Sequence, residues 1–426
     1  MGRPVTLTLT LLAGLALGYA LGVTLPSVIW HRPPTKRSRR PSTLGRPSPT
    51  DLRVVNGVAG LIGNTPLVRI PSLSEATGCE IYAKAEFLNP GGSPKDRVAL
   101  SMVETAEAHG ELRPHTASCL FEGTVGSTGI SLAMIARAKG YLCHIVLPDD
   151  QAAEKYALLE KFCAEVEKVR PVSIVNQDHF VNVARRRACV YDGQGDLEGG
   201  HRGYFADQFD NLANYRAHYQ TTGPEIWTQT HGNLDAFVSG AGTGGTLAGT
   251  ALYLKQHHPS LRVVLADPQG SGLFHRIKHG VMYAPEEAEG TRRRHQVDTV
   301  VEGMGINRVT RNLAQVLVPG LAHSHNGGVP GTPWVDDAVR VTDQEAVWMA
   351  RYLVNREGLF IGSTAAVNCV AAVRTALTLG PGHTIVTILC DSGQRHLTKF
   401  WNDDYLRAQG LDVAFPDDLD FLGADA

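Results

Sequence analysis

Six short apolar runs punctuate the chain, at 81–87 (IYAKAEF), 118–123 (SCLFEG), 142–148 (LCHIVLP), 236–240 (AFVSG), 262–267 (RVVLAD) and 384–390 (TIVTILC). They are too short and too uniformly apolar to be amphipathic helices, and helix-length segments separate them. Runs of this kind read as strands buried on both faces of mostly parallel sheets. The arrangement predicts the α/β class, with open sheets covered by helices on both sides. No fixed-period repeat is present.

Composition narrows the function classes. Of 426 residues, 43% are hydrophobic and 19% charged, which excludes a disordered or fibrous body. The net charge of -2 hides an asymmetry: residues 1–50 hold seven Lys/Arg and no acid, leaving 33 basic against 42 acidic residues beyond. An acidic body is a poor partner for nucleic acid, and small-molecule partners are expected. The seven cysteines stand singly at 79, 119, 143, 163, 189, 369 and 390. No spacing suits zinc, so no metal site is expected and the cysteines read as reduced thiols in a cytosol-like compartment.

From Val5 to Trp30 there is no charge, a length that as a helix can cross a membrane core of about 30 Å. Basic residues Arg32, Lys36, Arg37, Arg39 and Arg40 follow it, which suits an N-terminal anchor with the body on the cytosolic side rather than a cleaved signal. Moderate hydrophobicity with a basic flank fits a mitochondrial outer-membrane anchor, with the endoplasmic reticulum as the alternative. The organisation expected is an anchor at 1–30, a basic Pro/Ser/Arg-rich linker at 31–50, a body at 51–405 and a tail at 406–426. Segments 192–203, 276–300 and 323–333 read as surface excursions.

Four turns carry the chemistry. The first, Asn89-Pro-Gly-Gly-Ser-Pro-Lys95-Asp96-Arg97, ends a strand and opens a helix. A lysine at a helix N-terminus is disfavoured as ammonium, which makes the free amine available for a Schiff base, unless Lys95 is simply exposed. In the second, Glu122 to Gly129 joins a strand to a helix and either binds an anion or caps the helix with its own hydroxyls. The third, Ser239 to Gly249, is a glycine–threonine turn suited to phosphate. It partly matches a dinucleotide fingerprint, with Asp267 the nearest acid to read a ribose. The fourth, Cys390-Asp-Ser-Gly-Gln-Arg-His-Leu397, places Ser392 at the carboxyl end of a buried strand, where open sheets bind ligands.

Taken in order, GNTPLVRI at 63–70, PGGSPKDR at 90–97, TVGSTG at 124–129, QFDNLANYRAHYQTTGPEIW at 208–227, GAGTGGTLAG at 240–249 and CDSGQRHL at 390–397 closely resemble the cysteine synthases. These are type II, tryptophan-synthase-β-like enzymes that depend on pyridoxal 5'-phosphate. The N-terminal span and the altered loop look most like the membrane-anchored, mitochondrial fungal branch of that family, cysteine synthase 2. The resemblance covers about residues 55–405. It implies two open, mostly parallel sheets with a smaller lobe at roughly 86–205 and a larger one at 51–85 plus 206–405, in a homodimer.

What the resemblance implies for residues follows position by position. Lys95 holds the cofactor as a Schiff base and then moves the substrate's α-proton. Gly242, Thr243, Gly244, Gly245 and Thr246 cradle its phosphate. Ser392 meets the pyridine nitrogen as a neutral hydroxyl, and Ser127 serves the ring's 3′ oxygen. Thr124, Val125, Gly126 and Thr128, with Gln208, receive the substrate carboxylate. The implied reaction eliminates acetate from O-acetyl-L-serine to an α-aminoacrylate and adds sulfide to give L-cysteine.

The chain departs from the family in the second turn, where TVGSTG replaces T-S-G-N-T-G, and at Glu357 to Ala366, where the usual G-x-S-S-G is modified. Val125 lacks the hydroxyl that would meet the carboxylate, and one such hydrogen bond is worth roughly 1.5–3 kcal/mol. The departures keep two other readings open. One is a different pyridoxal-phosphate lyase, cystathionine β-synthase-like or dehydratase-like. The other is a catalytically weak, membrane-anchored sensor or scaffold.

Overall fold

A computed structural model of the chain describes residues 54–193, 201–284, 299–318, 321 and 334–423. The expected anchor and linker lie outside the described residues, as do most of the excursions at 192–203 and 276–300 and all of that at 323–333. Among the described residues no helix is long and apolar enough to cross a membrane.

Among the described residues ten strands form two sheets. The larger orders its six strands β1 (Leu67–Arg69), β2 (Glu80–Ala85), β10 (Thr384–Leu389), β7 (Ala236–Gly240), β8 (Arg262–Pro268) and β9 (Asp337–Val341) across the sheet. The smaller orders β5 (Glu165–Val169), β4 (Leu142–Pro148), β3 (Cys119–Gly123) and β6 (Gly203–Phe205). All pairings are parallel except β1 with β2. All six apolar runs form strands; β10 stops at Leu389, one residue before Cys390.

The remaining four strands are edges. β1, β5, β6 and β9 (LVR, EVEKV, GYF and DAVRV) carry charge or are only three residues long, because one side of each is unpaired and half exposed. Polar residues there prevent edge-to-edge association. They also erase the apolar signal that marks the central strands.

Each face of the larger sheet has its own core. Helices Pro71–Thr77, Asp343–Glu357 and Ser363–Leu379 cover one face around Ile81, Val238 and Ile385. Helices Gly223–Gln229, Gly245–His257 and Leu273–His279 cover the other around Phe237, Val263 and Ile388. Successive residues of β7 therefore point into different cores, which is why the run had to be apolar throughout. Burying one such side chain is worth about 1.5–3 kcal/mol. The smaller sheet lies between helices Lys95–Ala108 and Ser127–Lys139 on one face and Phe180–Gly193 on the other.

Two features aim this scaffold at one place. Asn368, buried in helix Ser363–Leu379, accepts from Gly240 N at 2.8 Å and donates to Ile388 O at 2.8 Å, fixing the ends of β7 and β10 together. The chain after β10 then doubles back. Leu406, Leu411, Val413, Phe421 and Leu422 pack on the core beside helix Asp343–Glu357, where Arg351 also donates to Val413 O at 3.1 Å.

Candidate active site

Because the strands are parallel, the turns that follow β2, β3, β7 and β10 open at carboxyl ends, where ligands of open sheets bind. They line one cleft of about 690 Å³. Lys95, Thr124, Val125, Ser127, Thr128, Gln208, Gly242, Thr243, Gly244 and Thr246 all face it. With Cys390, Asp391 and His396 from the turn after β10, stretches spread along the chain from Lys95 to His396 thus meet.

Lys95 is the first residue of helix Lys95–Ala108, with Pro94 before it and no side-chain cap. Burial pushes its amine below the ordinary lysine value, with Cys390, Asp391 and Glu86 pulling the other way, so the uncharged nucleophilic form is within reach. Its neighbours hold the turn rigid. The carboxylate of Asp96 accepts from Gly91 N at 2.5 Å and from Ser131 Oγ at 2.6 Å. Arg97 bridges Glu86 at 2.8 Å and Glu225 at 2.6 Å, and Lys84 joins Glu225 at 2.6 Å. Removing one member of such a buried ionic network costs about 3–5 kcal/mol.

The turn after β7 is a cradle with no room for side chains. A methyl group on Gly242 would lie 2.5 Å from Gly303 O, and one on Gly245 would collide with Asn214 Oδ1. Gly244 has φ 82°, in the left-handed region that favours glycine. Thr243 is held by Asn214 Nδ2 at 2.9 Å, and its carbonyl accepts from Thr310 Oγ1 at 2.7 Å. Thr246 Oγ1 lies 3.2 Å from Nε2 of His218, an imidazole that burial, Arg97 and Lys95 keep neutral. Helix Gly245–His257 starts with no side-chain cap, which leaves its N-terminal amides for an anion. A phosphate fits this cradle and a lysine aldehyde partner fits Lys95, so the residues present suit pyridoxal 5'-phosphate.

The turn after β3 is built differently. Thr128 Oγ1 donates to Gln208 Oε1 at 2.5 Å, and Gln208 Nε2 donates to Gly123 O at 3.3 Å. Gly126 N donates to Thr124 Oγ1 at 3.2 Å. Gln208 N in turn donates to Glu122 at 3.2 Å, whose carboxyl burial and Asp207 push well above its ordinary value. Arg395 donates to Ser127 Oγ at 3.4 Å.

Ser392 sits at the end of β10, where its hydroxyl donates to Phe360 O at 3.4 Å and accepts from Gln394 N at 3.3 Å. It is not among the residues lining the cleft. Cys390, Asp391 and Thr364 form the wall at that end. Asp267 is not among the residues lining the cleft; it is buried and accepts from Phe274 N at 2.7 Å, in the first turn of helix Leu273–His279.

Sequence reasoning missed a second layer. Lys155, Glu302 and His396 also line the cleft. Lys155 pairs with Glu302, and His396 Nε2 lies 2.9 Å from Asp391 Oδ2. The one sequence signal was Glu302 itself, an acid inside the apolar, glycine-rich stretch VVEGMG.

Comparison with known proteins agrees with this geometry. A family described as pyridoxal-phosphate dependent enzyme matches residues 58–391. The chain is 55% identical to cysteine synthase 2 of Schizosaccharomyces pombe over 371 residues, covering 87% of this chain and 90% of that one. It is 52% identical to a Saccharomyces cerevisiae protein provisionally named a mitochondrial cysteine synthase, over 82% of this chain and 85% of that one. Among solved structures, O-ureido-L-serine synthase superposes with a TM-score of 0.68 at 29% identity, covering 86% of this chain and 98% of that one. The chain therefore belongs to the pyridoxal-phosphate-dependent enzymes, and within them to the cysteine synthase family.

Proposed function

We propose that the chain makes L-cysteine from O-acetyl-L-serine and sulfide, with release of acetate. The observation that carries this reading is the meeting, in one cleft, of a half-buried amine at Lys95, a phosphate cradle at Gly242 to Thr246 and a carboxylate-sized loop at Thr124 to Thr128. Bound pyridoxal 5'-phosphate supplies an electron sink for a carbanion at the substrate's α-carbon. The Lys95 amine, which would hold the cofactor, is placed to take the substrate's α-proton as acetate leaves the β-carbon. Sulfide then adds at that carbon and the proton returns. The loop of Thr124, Val125, Gly126 and Thr128, steadied by Gln208, orients the α-carboxylate. Ser127 would serve the ring's 3′ oxygen, and Ser392 would meet its nitrogen once its hydroxyl leaves Phe360 O.

The protein acts as a homodimer on this reading. Its span at 5–30 holds it in the mitochondrial outer membrane with the body facing the cytosol. The uncharged stretch and basic flank support the anchor and its orientation, and the name of the yeast relative supports a mitochondrial address alone. Residues 1–50 fused to a fluorescent protein test the address, and an endoplasmic reticulum pattern overturns it.

The test of activity follows the visible band of the cofactor-loaded full chain through addition of O-acetyl-L-serine and then sulfide. A band that shifts and returns, with cysteine formed, is the expected result. Val125 and Ser127 favour a second reading, a different β-substituted amino acid or a larger thiol. Homocysteine in place of sulfide gives cystathionine if that reading holds. A protein that retains its cellular role as Lys95→Ala is instead a scaffold.

A further inference from the structure

The substrate loop is gripped from behind, by a pair that joins the two sheets. Lys155 belongs to helix Ala153–Lys161, beside the smaller sheet. Its aliphatic stem runs against Gly126, where a methyl group would lie 2.5 Å from Lys155 Cδ and where φ is 133°. Its ammonium donates to Val125 O at 3.2 Å and pairs with Glu302. Both side chains are sequestered, at 4% and 11% exposure.

Glu302 lies 147 residues away, in the segment preceding β9, and its carboxylate collects further cations. Lys399 Nζ is at 3.2 Å and His396 Nδ1 at 3.7 Å. Burial alone would push this carboxyl up, but Lys155, His396 and Lys399 together hold it well below the usual range, so it is ionised throughout the working pH range. The same helix is pinned a second time, since Glu154 accepts from Thr398 N at 2.9 Å and from Thr398 Oγ1 at 2.8 Å. Arg395 completes the grip by reaching Ser127 Oγ at 3.4 Å and Gly91 O.

The grip falls on the residues where the loop has lost side-chain donors. Val125 offers the substrate no hydroxyl, which leaves more of the carboxylate to the loop's backbone amides, and their direction depends on where the Val125 carbonyl and Gly126 are held. We propose that Lys155 is a positioning residue for the amino-acid substrate: paired with Glu302, it fixes the Val125–Gly126 backbone so that the loop's amides meet the α-carboxylate. The inference rests on the functional reading above. Lys155 touches neither substrate nor cofactor on this account, and its effect passes through the loop.

The test compares the cofactor-loaded full chain with Lys155→Met, Lys155→Arg and Glu302→Gln. The concentration of O-acetyl-L-serine that half-converts the visible band is read alongside kcat and the melting temperature. Loss of the hydrogen bond and pair is expected to raise half-saturation about ten- to hundredfold in Lys155→Met, with the resting band and kcat little changed. Lys155→Arg should recover most of the loss, Glu302→Gln should show a smaller rise, and the double variant should be no worse than Lys155→Met.

Half-saturation at the unmodified value in Lys155→Met overturns the inference alone. No response in the unmodified chain overturns the functional reading and the inference with it. If Lys155→Met loses its resting band, Glu302→Gln, which keeps the side-chain volume, decides: unchanged half-saturation there overturns the proposal. A fall in melting temperature with half-saturation unmoved in every variant means a structural pair only, and also overturns it.

Discussion

The turns after β7 and β3 share one plan, a buried parallel strand, a small-residue bend and an uncapped helix, yet they are held in place by different means. The cradle at Gly242 to Thr246 is fixed by the volume of its close neighbours. Gly303 O, Asn214 and Leu313 press so near that only glycine fits, and its hydrogen-bond partners are uncharged. The loop at Thr124 to Thr128 is fixed by charge delivered from far along the chain, by Lys155 with Glu302 and by Arg395. A cofactor site defined by local volume tolerates little change. A substrate site held by distant ion pairs can exchange a side chain, as Val125 and Ser127 show, without losing its shape.

The widest departure from the resting state comes from Lys95→Ala, which strikes both halves at once. Covalent retention of the cofactor should vanish, and turnover should drop by on the order of 10²–10⁴ or more, measured as the visible band surviving dialysis and as kcat. Next comes a pH test of the Lys95 turn, which Asp96 clasps from beneath both halves. Burial raises the carboxyl of Asp96, which clasps Gly91 and Ser131, from 3.8 to about 6. An acid whose folded value lies above its unfolded value stabilises least when ionised. Its contribution is therefore full below about pH 4, falls as pH rises to about 6, and amounts to about 3 kcal/mol lost by neutrality. Asp96→Asn, neutral at every pH, should give a flatter dependence across that window in thermal melts and gain on the unmodified chain as pH rises. A slope equal to that of the unmodified chain contradicts the assignment.

Gly245→Ala tests the volume-held half. The added methyl meets Asn214 and should cost about 1–3 kcal/mol, with weaker cofactor retention and an unaltered salt dependence. The smallest change sharpens the contrast from the other side. Val125→Thr keeps the shape and adds a hydroxyl to a wall of the cleft. It is expected to lower the half-saturating O-acetyl-L-serine by about tenfold, and a rise instead would show that the present loop is matched to another substrate.

The same contrast explains what could be read from sequence. The central strands and the phosphate cradle were legible because their constraints are local. β4 and β7 coincide with their apolar runs, and each glycine of the cradle stands where its own turn demands it. The edge strand EVEKV was not legible, since its side chains answer to solvent as much as to the sheet. Nor was the pairing of Lys155 with Glu302, because nothing near either residue encodes a partner 147 positions away. Ser392 belongs between these cases. Its place at the end of β10 was legible, while the direction of its hydroxyl depends on Phe360, which approaches from another element.

The chain that doubles back after β10 serves two surfaces at once. Leu411 packs on the core beside helix Asp343–Glu357, and Tyr405, Gln409 and Leu411 also stand in the wall of the cleft. A peptide cut in this stretch would therefore register first in catalysis and only later in unfolding. Conversely, an occupied cleft would shield the stretch, so that the rate of limited digestion after residue 400 becomes a gauge of ligand binding that needs no chromophore.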